Sequence, residues 1–208
     1  MYIPKPFIQT DVQKIRLLID SYAFGLLVTT RPDGTPVASH IPFLSSENDG
    51  ELILEGHVAR PNEQSEHIRE GRPALAVFQG PHTYISPTWY RSPGVPTWNY
   101  AAVHAYGRLG EVEGEGARSI IERLAGKFEG DGPDAWLPAY PDKMVGGIVC
   151  FALTDLILQS KSKMSQNRPE ADRRGVIAAL AACDDPDARE IRRTMEENET
   201  RGGPLTNE

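Results

Sequence analysis

The stretch FGLLVTTRPDGTPVASHIPF, residues 24–43, decides the fold. It contains two β-type runs, residues 24–30 and 37–43, and the turn sequence Arg31-Pro32-Asp33-Gly34 lies between them. Proline fixes one backbone angle of such a turn, and glycine tolerates the positive φ that the turn needs. The stretch therefore predicts a β-hairpin.

Outward from this hairpin, the apolar periodicity alternates between strand and helix. Further β-type runs lie at residues 51–58, 74–78, 97–112 and 147–158. Helical periodicity occurs at residues 10–21, 61–70, 117–128, 170–182 and 186–199. The first three strands follow one another through short turns, which argues against a doubly wound parallel sheet. We expect a mainly β fold with flanking helices, built as a small antiparallel barrel of six strands.

Composition limits both the architecture and the function. The 208 residues are 39% hydrophobic and 25% charged, as expected for one globular domain. We expect this domain to span residues 1–200, with a helical C-terminal extension from about 168, and residues 201–208 to form a flexible tail. The net charge of −7 argues against nucleic-acid binding by the whole surface.

Two further absences bear on location. No run approaches the roughly 18 uncharged apolar residues of a membrane helix, so we expect no membrane association. Cys150 and Cys183 are far apart in sequence and form no disulfide framework. A reducing cytoplasm is the expected location.

The segment Gly56-His57-Val58-Ala59-Arg60-Pro61-Asn62 is the strongest local signal. It lies where a strand should end and a helix begin, so a cation, an amide and free backbone N–H groups converge there. These groups suit an anion. A second interpretation stays open, in which Arg60 is a surface charge and Asn62 only caps the helix.

Polar residues also occur on both strands of the predicted hairpin. Thr29 and Thr30 lie in the first strand, and Ser39 and His40 in the second. Hydroxyls and an imidazole in this position can hydrogen-bond a polar ligand along the sheet. Alternatively, the threonines are there as good strand formers and His40 fills a half-buried position.

Two later segments add rings and cations. Tyr84, the Trp89-Tyr90 pair and Trp98 lie in or near a proline-rich stretch, where they form either a wall for a planar ring or a local packing cluster. Residues 161–169 supply many donors in a short connector. Between residues 157 and 175 there are five basic and two acidic side chains, which suggests an anionic ligand or a solvated charge run.

These signals share one chemistry. Cations suit a phosphate, hydroxyls suit a polyol chain, and aromatic side chains suit a flat ring, which together outline flavin mononucleotide (FMN). The common catalytic signatures GxSxG, HExxH, the Walker loop and GxGxxG are absent from the sequence. The five histidines are scattered, so no metal site is predicted.

Six motifs occur in a recognisable order: MYIP at residues 1–4, ASHIP at 38–42, GHVAR at 56–60, FQGPHTYISP at 78–87, VPTWNY at 95–100 and SQNR at 165–168. This order resembles the PaiB-type family of FMN-binding negative transcriptional regulators, within the FMN-binding split-barrel superfamily. The resemblance extends from residue 1 to about 180. It implies a six-stranded antiparallel split β-barrel that binds FMN at a homodimer interface.

The resemblance also implies roles for matching residues. The turn from His57 to Asn62 would hold the FMN phosphate, with Arg60 as its main ligand. The two hairpin strands would flank the ribityl chain and the ring, and other residues would approach from the partner subunit or close the site. The implied site residues are Thr29, Thr30, Ser39, His40, His57, Arg60, Asn62, Trp98, Asn99, Lys163, Ser165, Gln166 and Asn167.

Three functional hypotheses follow. The first is an FMN-binding regulator of the PaiB type that acts through DNA or a regulatory protein partner. The alternative is an FMN-dependent oxidoreductase, similar to flavin reductases or pyridoxamine-phosphate oxidases, with an unknown small substrate. The third is a flavin or haem carrier in which His57 or His82 reaches an iron. Residues 184–208 carry eight acidic side chains against four arginines, which disfavours direct DNA contact there.

Overall fold

A computed structural model describes residues 1–130 and 142–200. The predicted tail at 201–208 lies outside these residues. The helices are α1 (Val12–Ser21), α2 (Gln64–Arg69), α3 (Gly114–Glu129), α4 (Asp142–Val145), α5 (Glu170–Leu180) and α6 (Pro186–Thr200). The strands are β1 (Phe24–Thr30), β2 (Pro36–Pro42), β3 (Leu44–Asn48), β4 (Glu51–Ala59), β5 (Pro73–Ile85), β6 (Thr97–Val112) and β7 (Ile148–Lys163). Short 3-10 helices occupy Lys5–Phe7 and Pro87–Trp89.

The strands form one sheet in the order β2-β1-β5-β6-β7-β4-β3. The predicted hairpin is confirmed: β1 pairs antiparallel with β2, and β1–β5, β3–β4 and β4–β7 are antiparallel as well. The mainly antiparallel architecture with flanking helices is confirmed. The prediction of a six-stranded barrel is wrong in its strand number and its closure, because the sheet has seven strands and is open, with β2 and β3 at its two edges.

The additional strand arises at Phe43. Its backbone N–H donates to the carbonyl of Ala23 (2.9 Å), and its fully buried ring packs against Phe78 and Phe151, with centroids 5.1 and 6.1 Å away. The chain therefore leaves the edge beside β1 and re-enters the sheet beside β4. Asp49 and Gly50, with φ of 51° and 81°, close the β3–β4 hairpin in the positive-φ geometry that two-residue hairpin turns favour.

The described chain forms two compact units. The first contains Met1–Ile15, Gln79–Val103 and the chain from Ser160 onward, and the second contains Arg16–Phe78 and His104–Gln159. Ile85, Leu180 and Ile191 are fully buried in the first unit, whereas Leu54 and Phe151 are fully buried in the second. Among the described residues, no helix is both long enough and apolar enough to cross a membrane.

Candidate functional site

Polar side chains of the second unit converge where β1 and β2 face α2. Thr29 is 2% exposed, and its Oγ1 lies 2.7 Å from Nδ1 of His67. The two N–H groups of Gln64 Nε2 are shared among three acceptors: Thr29 Oγ1 (3.0 Å) and the carbonyls of Leu27 (3.1 Å) and Val37 (3.3 Å). We call Thr29, Ser39, Asn62, Gln64 and His67 the inner-face cluster.

His67 shares a hydrogen bond with Thr29 whose direction depends on the ring tautomer, because a hydroxyl that accepts from Gln64 can either donate to His67 Nδ1 or accept from it. Burial lowers the pKa of His67, and Arg72 lowers it further. The Oε1 of Gln64 is buried and has no hydrogen-bond partner among the described residues, so the cluster keeps an unused acceptor.

Asn62 connects the cluster to β2. Its Nδ2 donates to Ser39 Oγ (2.9 Å), while its Oδ1 accepts the backbone N–H of Gln64 (2.9 Å). Asn62 lies one residue before Glu63, the N-cap of α2, so its bond to Gln64 closes the turn that leads into the helix, and the same amide also holds Ser39 in place. Of the predicted residues, the structure brings Thr29, Ser39 and Asn62 into one network.

Arg60 follows β4 and is exposed. Its Nε donates to the carbonyl of Gly146 (2.5 Å) and its Nη2 to the carbonyl of Ile148 (3.1 Å). No carboxylate pairs with it in the part of the chain that the structure describes. A guanidinium has five N–H donors, and these two bonds orient it without neutralising its charge.

Beside Arg60 is a cavity of about 160 Å³. Glu111, Glu113 and Cys150 also line it, so its walls carry both signs of charge. The buried Cys150 thiol has its pKa raised to about 11 by burial and by Glu55, and it is therefore a protonated, unreactive group at neutral pH.

His57 lies in β4 directly opposite Cys150 in the register with β7. Cys150 packs under α3, where its Sγ lies 3.7 Å from the carbonyl of Ala117. His57 Nδ1 is buried and has no hydrogen-bond partner within the described residues, and burial lowers the pKa of the ring. His57 is thus a neutral imidazole with an unused ring nitrogen.

Thr30 and His40 face away from the inner-face cluster. Successive side chains of a strand point to opposite sides of the sheet, so the neighbours of Thr29 and Ser39 must lie on the other face. Both are exposed, and His40 stacks on Phe24 with ring centroids 6.1 Å apart. The structure therefore divides the four predicted hairpin residues into two pairs on opposite faces.

The remaining predicted residues belong to the first unit. Asn99 is fully buried, and its Nδ2 donates to Ser165 Oγ (3.0 Å) and to Met195 Sδ (3.5 Å). Ser165 Oγ lies 3.1 Å from Asn99 Oδ1, so the two side chains bond reciprocally. We call Asn99 and Ser165 the reciprocal pair.

The connector after β7 holds the backbone of the Trp98 segment. Lys163 Nζ donates to the Trp98 carbonyl (2.8 Å) and to the Thr97 hydroxyl, and burial lowers the Lys163 pKa. Gln166 accepts from the N–H of Met164 (2.6 Å) and donates to the carbonyl of Ser162 (2.6 Å). Most of the hydrogen-bond donors of this connector therefore bond to other residues of the same unit, whereas Asn167 is exposed.

The Trp98 side chain itself is 52% exposed. Its ring lies 6.2 Å from that of His82 and 6.1 Å from that of Tyr84, which is 43% exposed. The sequence placed these rings in one region, and the structure brings His82, Tyr84 and Trp98 together on one surface.

Asp172, which is 1% exposed at the start of α5, was missed by the sequence analysis. Its Oδ1 accepts the backbone N–H groups of Arg91 (2.7 Å) and Ser92 (3.0 Å), and its Oδ2 accepts the Ser92 hydroxyl. Arg168 stacks on Tyr90 at 4.2 Å. These contacts fasten the proline-rich loop to α5.

The sequence analysis also missed Gln64 and His67. Their spacing of three residues places both on one face of a helix, and this spacing was the signal that could have identified them.

No group of three or more His, Cys, Asp or Glu that could hold a metal ion occurs within residues 1–130 and 142–200.

A family model described as "Putative FMN-binding domain" matches residues 1–154. The chain belongs to this family.

Relatives agree with that assignment. The chain is 36% identical over 202 residues to "Protease synthase and sporulation protein PAI 2" of Bacillus subtilis (strain 168), covering 95% of this chain and 97% of that protein. The PaiB-type resemblance is thereby confirmed, and FMN is the cofactor of the family.

Solved structures share the fold. The FAD and heme binding protein from Mycobacterium smegmatis superimposes with a TM-score of 0.61 at 22% identity, covering 74% of this chain and 72% of that one. Flavocytochrome Anf3 from Azotobacter vinelandii gives a TM-score of 0.60 at 14% identity, with coverages of 76% and 69%. At these identities the likeness establishes a split-barrel-like fold.

Proposed function

We propose that this protein is a PaiB-type FMN-binding regulator that holds FMN at a homodimer interface, with the FMN phosphate on Arg60. The observation that carries the proposal is the state of Arg60. Two backbone carbonyls orient its guanidinium, and no carboxylate of the described chain neutralises it. An oriented guanidinium is well suited to bind phosphate, because its planar donors match two phosphate oxygens.

The surroundings of Arg60 fit one end of the cofactor. Arg60 and Asn62 are two residues apart, and Asn62 leads into the inner-face cluster with its hydroxyls and its unused Gln64 acceptor. The cavity of about 160 Å³ beside Arg60 is smaller than a typical ligand pocket of roughly 300–1,000 Å³. We infer that it takes no more than the phosphate end.

A second copy of the chain would cover the outer face of the hairpin. Phe24 is 67% exposed there, Leu26 and Val28 are half-buried on the same face, and β5 adds half-buried Leu75 and Val77 beside them. A contiguous apolar face that is partly exposed on a sheet is typical of a subunit interface. His40 and Thr30 share this face, so a dimer would bring them to the subunit boundary.

Bound FMN would supply reversible electron transfer, and the chain's own groups would set its orientation. Arg60 would bind the phosphate, and Thr29 and Ser39, fixed by Gln64 and Asn62, would present hydroxyls to the ribityl chain. His40 lies on the opposite face of the hairpin, so it would face the partner subunit and not this FMN.

The test of the phosphate site is Arg60→Ala, with FMN affinity measured by fluorescence titration. Loss of a charge-assisted bond of about 1.5–3 kcal/mol weakens binding roughly 10- to 150-fold. Arg31→Ala is the matched control, because Arg31 is an exposed arginine already paired with Glu63 at 2.7 Å. Unchanged affinity in Arg60→Ala would place the phosphate elsewhere.

The dimer is tested separately by light scattering. We expect the unaltered protein at twice its 23.0 kDa chain mass and Phe24→Glu near the monomer mass. If the monomeric form binds FMN as tightly as the dimeric form does, the placement of FMN at the subunit interface is refuted.

The regulatory role and an oxidoreductase role predict different behaviour. We propose that regulation acts through a protein partner, since α6 and its flanks are acidic and would repel DNA. Salt-sensitive retention on DNA would contradict this. Turnover of bound FMN by a nicotinamide nucleotide would instead favour the oxidoreductase alternative, for which the exposed ring surface at Trp98 is the supporting observation.

A further inference from the structure

Aromatic rings of the first unit form three clusters, and two of them hold a cation that the chain itself supplies. In the first cluster, the ammonium of the buried Lys161 lies 5.9 Å from the ring centres of Tyr2 and Phe7 and 5.0 Å from that of Tyr100. It also donates to the carbonyl of Tyr2 (3.2 Å). The face of an aromatic ring attracts a cation, so these rings stabilise the buried ammonium.

The second cluster adds a carboxylate to the ring. The Arg168 guanidinium lies 4.2 Å from the centre of the Tyr90 ring, and its Nη1 lies 3.9 Å from Oδ2 of Asp172. Arginine suits this arrangement because its planar guanidinium stacks on an aromatic face while its N–H groups bond to a carboxylate. Ring, carboxylate and arginine therefore already occur together in this unit.

The third cluster has the rings and the carboxylate without the cation. Trp98 and Tyr84 meet at an angle of 77° with centroids 6.1 Å apart, so their faces form a corner. His82 lies along one side of the indole at 6.2 Å, and Asp187 Oδ2 lies 3.0 Å from His82 Nδ1. Both Trp98 and Tyr84 are exposed, and no lysine or arginine of residues 1–130 and 142–200 is stacked on either ring. We call these four residues the open corner.

The backbone holds the open corner in place. Lys163 donates to the carbonyl of Trp98, and Asn99 is buried in the reciprocal pair, so strand alternation directs the indole outward. Asp187 accepts from the backbone N–H of His82 (3.3 Å) with Oδ2, the same oxygen that contacts the ring. The Asp187 side chain is 34% exposed, so this fixed carboxylate remains within reach of a donor from solution.

The flank of α6 that carries Asp187 extends the acidic surface. Glu190 and Glu197 follow Asp187 at helical spacing, and both are paired with Arg193 at 2.5 Å. The other two arginines of α6 pair with different carboxylates. Three carboxylates therefore share one guanidinium, which leaves an excess of negative charge along about 15 Å of helix. A small cation would use only one end of this flank, whereas a peptide with several cations can use its whole length.

We propose that the open corner is a docking site for an arginine in a basic segment of a protein partner, with the guanidinium stacked on Trp98 and bonded to Asp187. Further cations of the segment lie along the acidic flank of α6. The arrangement repeats that of Arg168 on Tyr90 beside Asp172, with the arginine supplied from outside. This docking rests on the regulation through a protein partner proposed above, and it specifies the surface and the charge that the partner meets.

The experiment titrates the full chain, with FMN added, with a short blocked peptide of alternating arginine and serine, followed by isothermal titration calorimetry at low salt. The same peptide with citrulline in place of arginine is the matched control, because citrulline keeps the shape of the side chain and removes its charge. We expect the arginine peptide to bind and the citrulline peptide not to bind. Absence of binding by the arginine peptide, or equal binding by both peptides, would overturn the proposal.

Substitutions locate the site. Trp98→Ala and Asp187→Asn should each weaken binding of the arginine peptide roughly 3- to 10-fold. Phe128→Ala removes an exposed ring of the second unit, and Asp184→Asn removes the same charge from an aspartate that is 99% exposed, so both should bind within about twofold of the unaltered protein. Equal losses for Asp187→Asn and Asp184→Asn, with none for Trp98→Ala, would show nonspecific charge attraction and refute the docking site.

Two further outcomes identify the occupant and the route. If argininamide alone binds as tightly as the peptide, the occupant is a small organic cation and the partner segment is refuted. Salt-sensitive retention on DNA would refute regulation through a protein partner and this docking with it. A failed peptide titration without retention on DNA would refute the docking at the open corner alone. Neither outcome bears on the FMN site at Arg60.

Discussion

The inner-face cluster and the reciprocal pair are both buried polar networks, yet they differ in how completely their groups are used. Asn99 and Ser165 satisfy each other, and Met195 accepts the remaining amide contact. In the inner-face cluster, Gln64 Oε1 remains without a partner among the described residues. Such an unsatisfied buried atom costs stability, and natural proteins keep one where a ligand or water completes it.

This difference separates support from binding. The reciprocal pair fixes the backbone that carries Trp98, so its own groups have nothing left to offer a ligand. The inner-face cluster holds Thr29 and Ser39 in defined rotamers while retaining an acceptor. Substitutions in the first should therefore affect folding most, and those in the second should affect both folding and cofactor binding.

The largest effect is expected for Asn99→Ala. It removes a fully buried amide and leaves the Ser165 hydroxyl unpaired, so we expect a loss of about 3 kcal/mol in the free energy of unfolding. Denaturant titration measures it. Asn167→Ala, at an exposed asparagine two residues beyond Ser165, is the control and should change stability by under about 0.5 kcal/mol. Equal losses for the two variants would show that the reciprocal pair has no special role.

Thr29→Val is expected to cost less, about 2 kcal/mol, because the shape is kept while the hydroxyl between Gln64 and His67 is lost. The matched control is Thr30→Val, one residue along the same strand but exposed. A stability loss in Thr30→Val as large as that in Thr29→Val would contradict the division of the hairpin into two faces.

The third expectation concerns pH. Burial lowers the pKa of His67, so between that value and about 6.5 the unfolded chain binds a proton that the folded chain does not. The free energy of unfolding should therefore rise with pH across this range and fall on acidification. Burial of His57 and His104 acts in the same direction. His67→Gln should flatten the profile measured by denaturant titration from pH 5 to 8, and a profile parallel to that of the unaltered protein would show that burial of His67 does not lower its pKa in the folded chain.

The smallest stability effect is expected for Trp98→Ala. Half of the indole is already in water, so we expect a change of under about 1 kcal/mol by the same titration. A loss comparable to that of Asn99→Ala would mean that the indole belongs to the core and not to the exposed surface that it shares with His82 and Tyr84.

The sequence predicts the hairpin well because its turn chemistry is local. Pro32, Asp33 and Gly34 specify the turn without help from the rest of the chain. The strand that follows Phe43 was missed because Leu-Ser-Ser-Glu-Asn carries no β pattern, and its pairing with β4 depends on burial of the Phe43 ring against two rings that are distant in sequence.

As with the fold, some residues of the candidate site could be predicted from local sequence and others could not. Thr29 and Ser39 were placed near one another by the hairpin, and alternation along a strand could have separated them from Thr30 and His40. Asn62 was identified from the strand-to-helix position. Asp172 carried no signal, because a carboxylate at the start of a helix is ordinary in sequence and its backbone partners lie in a loop 80 residues away.

The location of β2 at one margin of the open sheet has a consequence for solubility. The unpaired edge of a sheet exposes backbone N–H and C=O groups, which can pair with a strand of another chain and start the growth of fibrils. Pro36 and Pro42 bound this strand, and neither can donate a backbone hydrogen bond. The two prolines therefore disfavour the pairing of a strand from another chain with this edge during synthesis and storage.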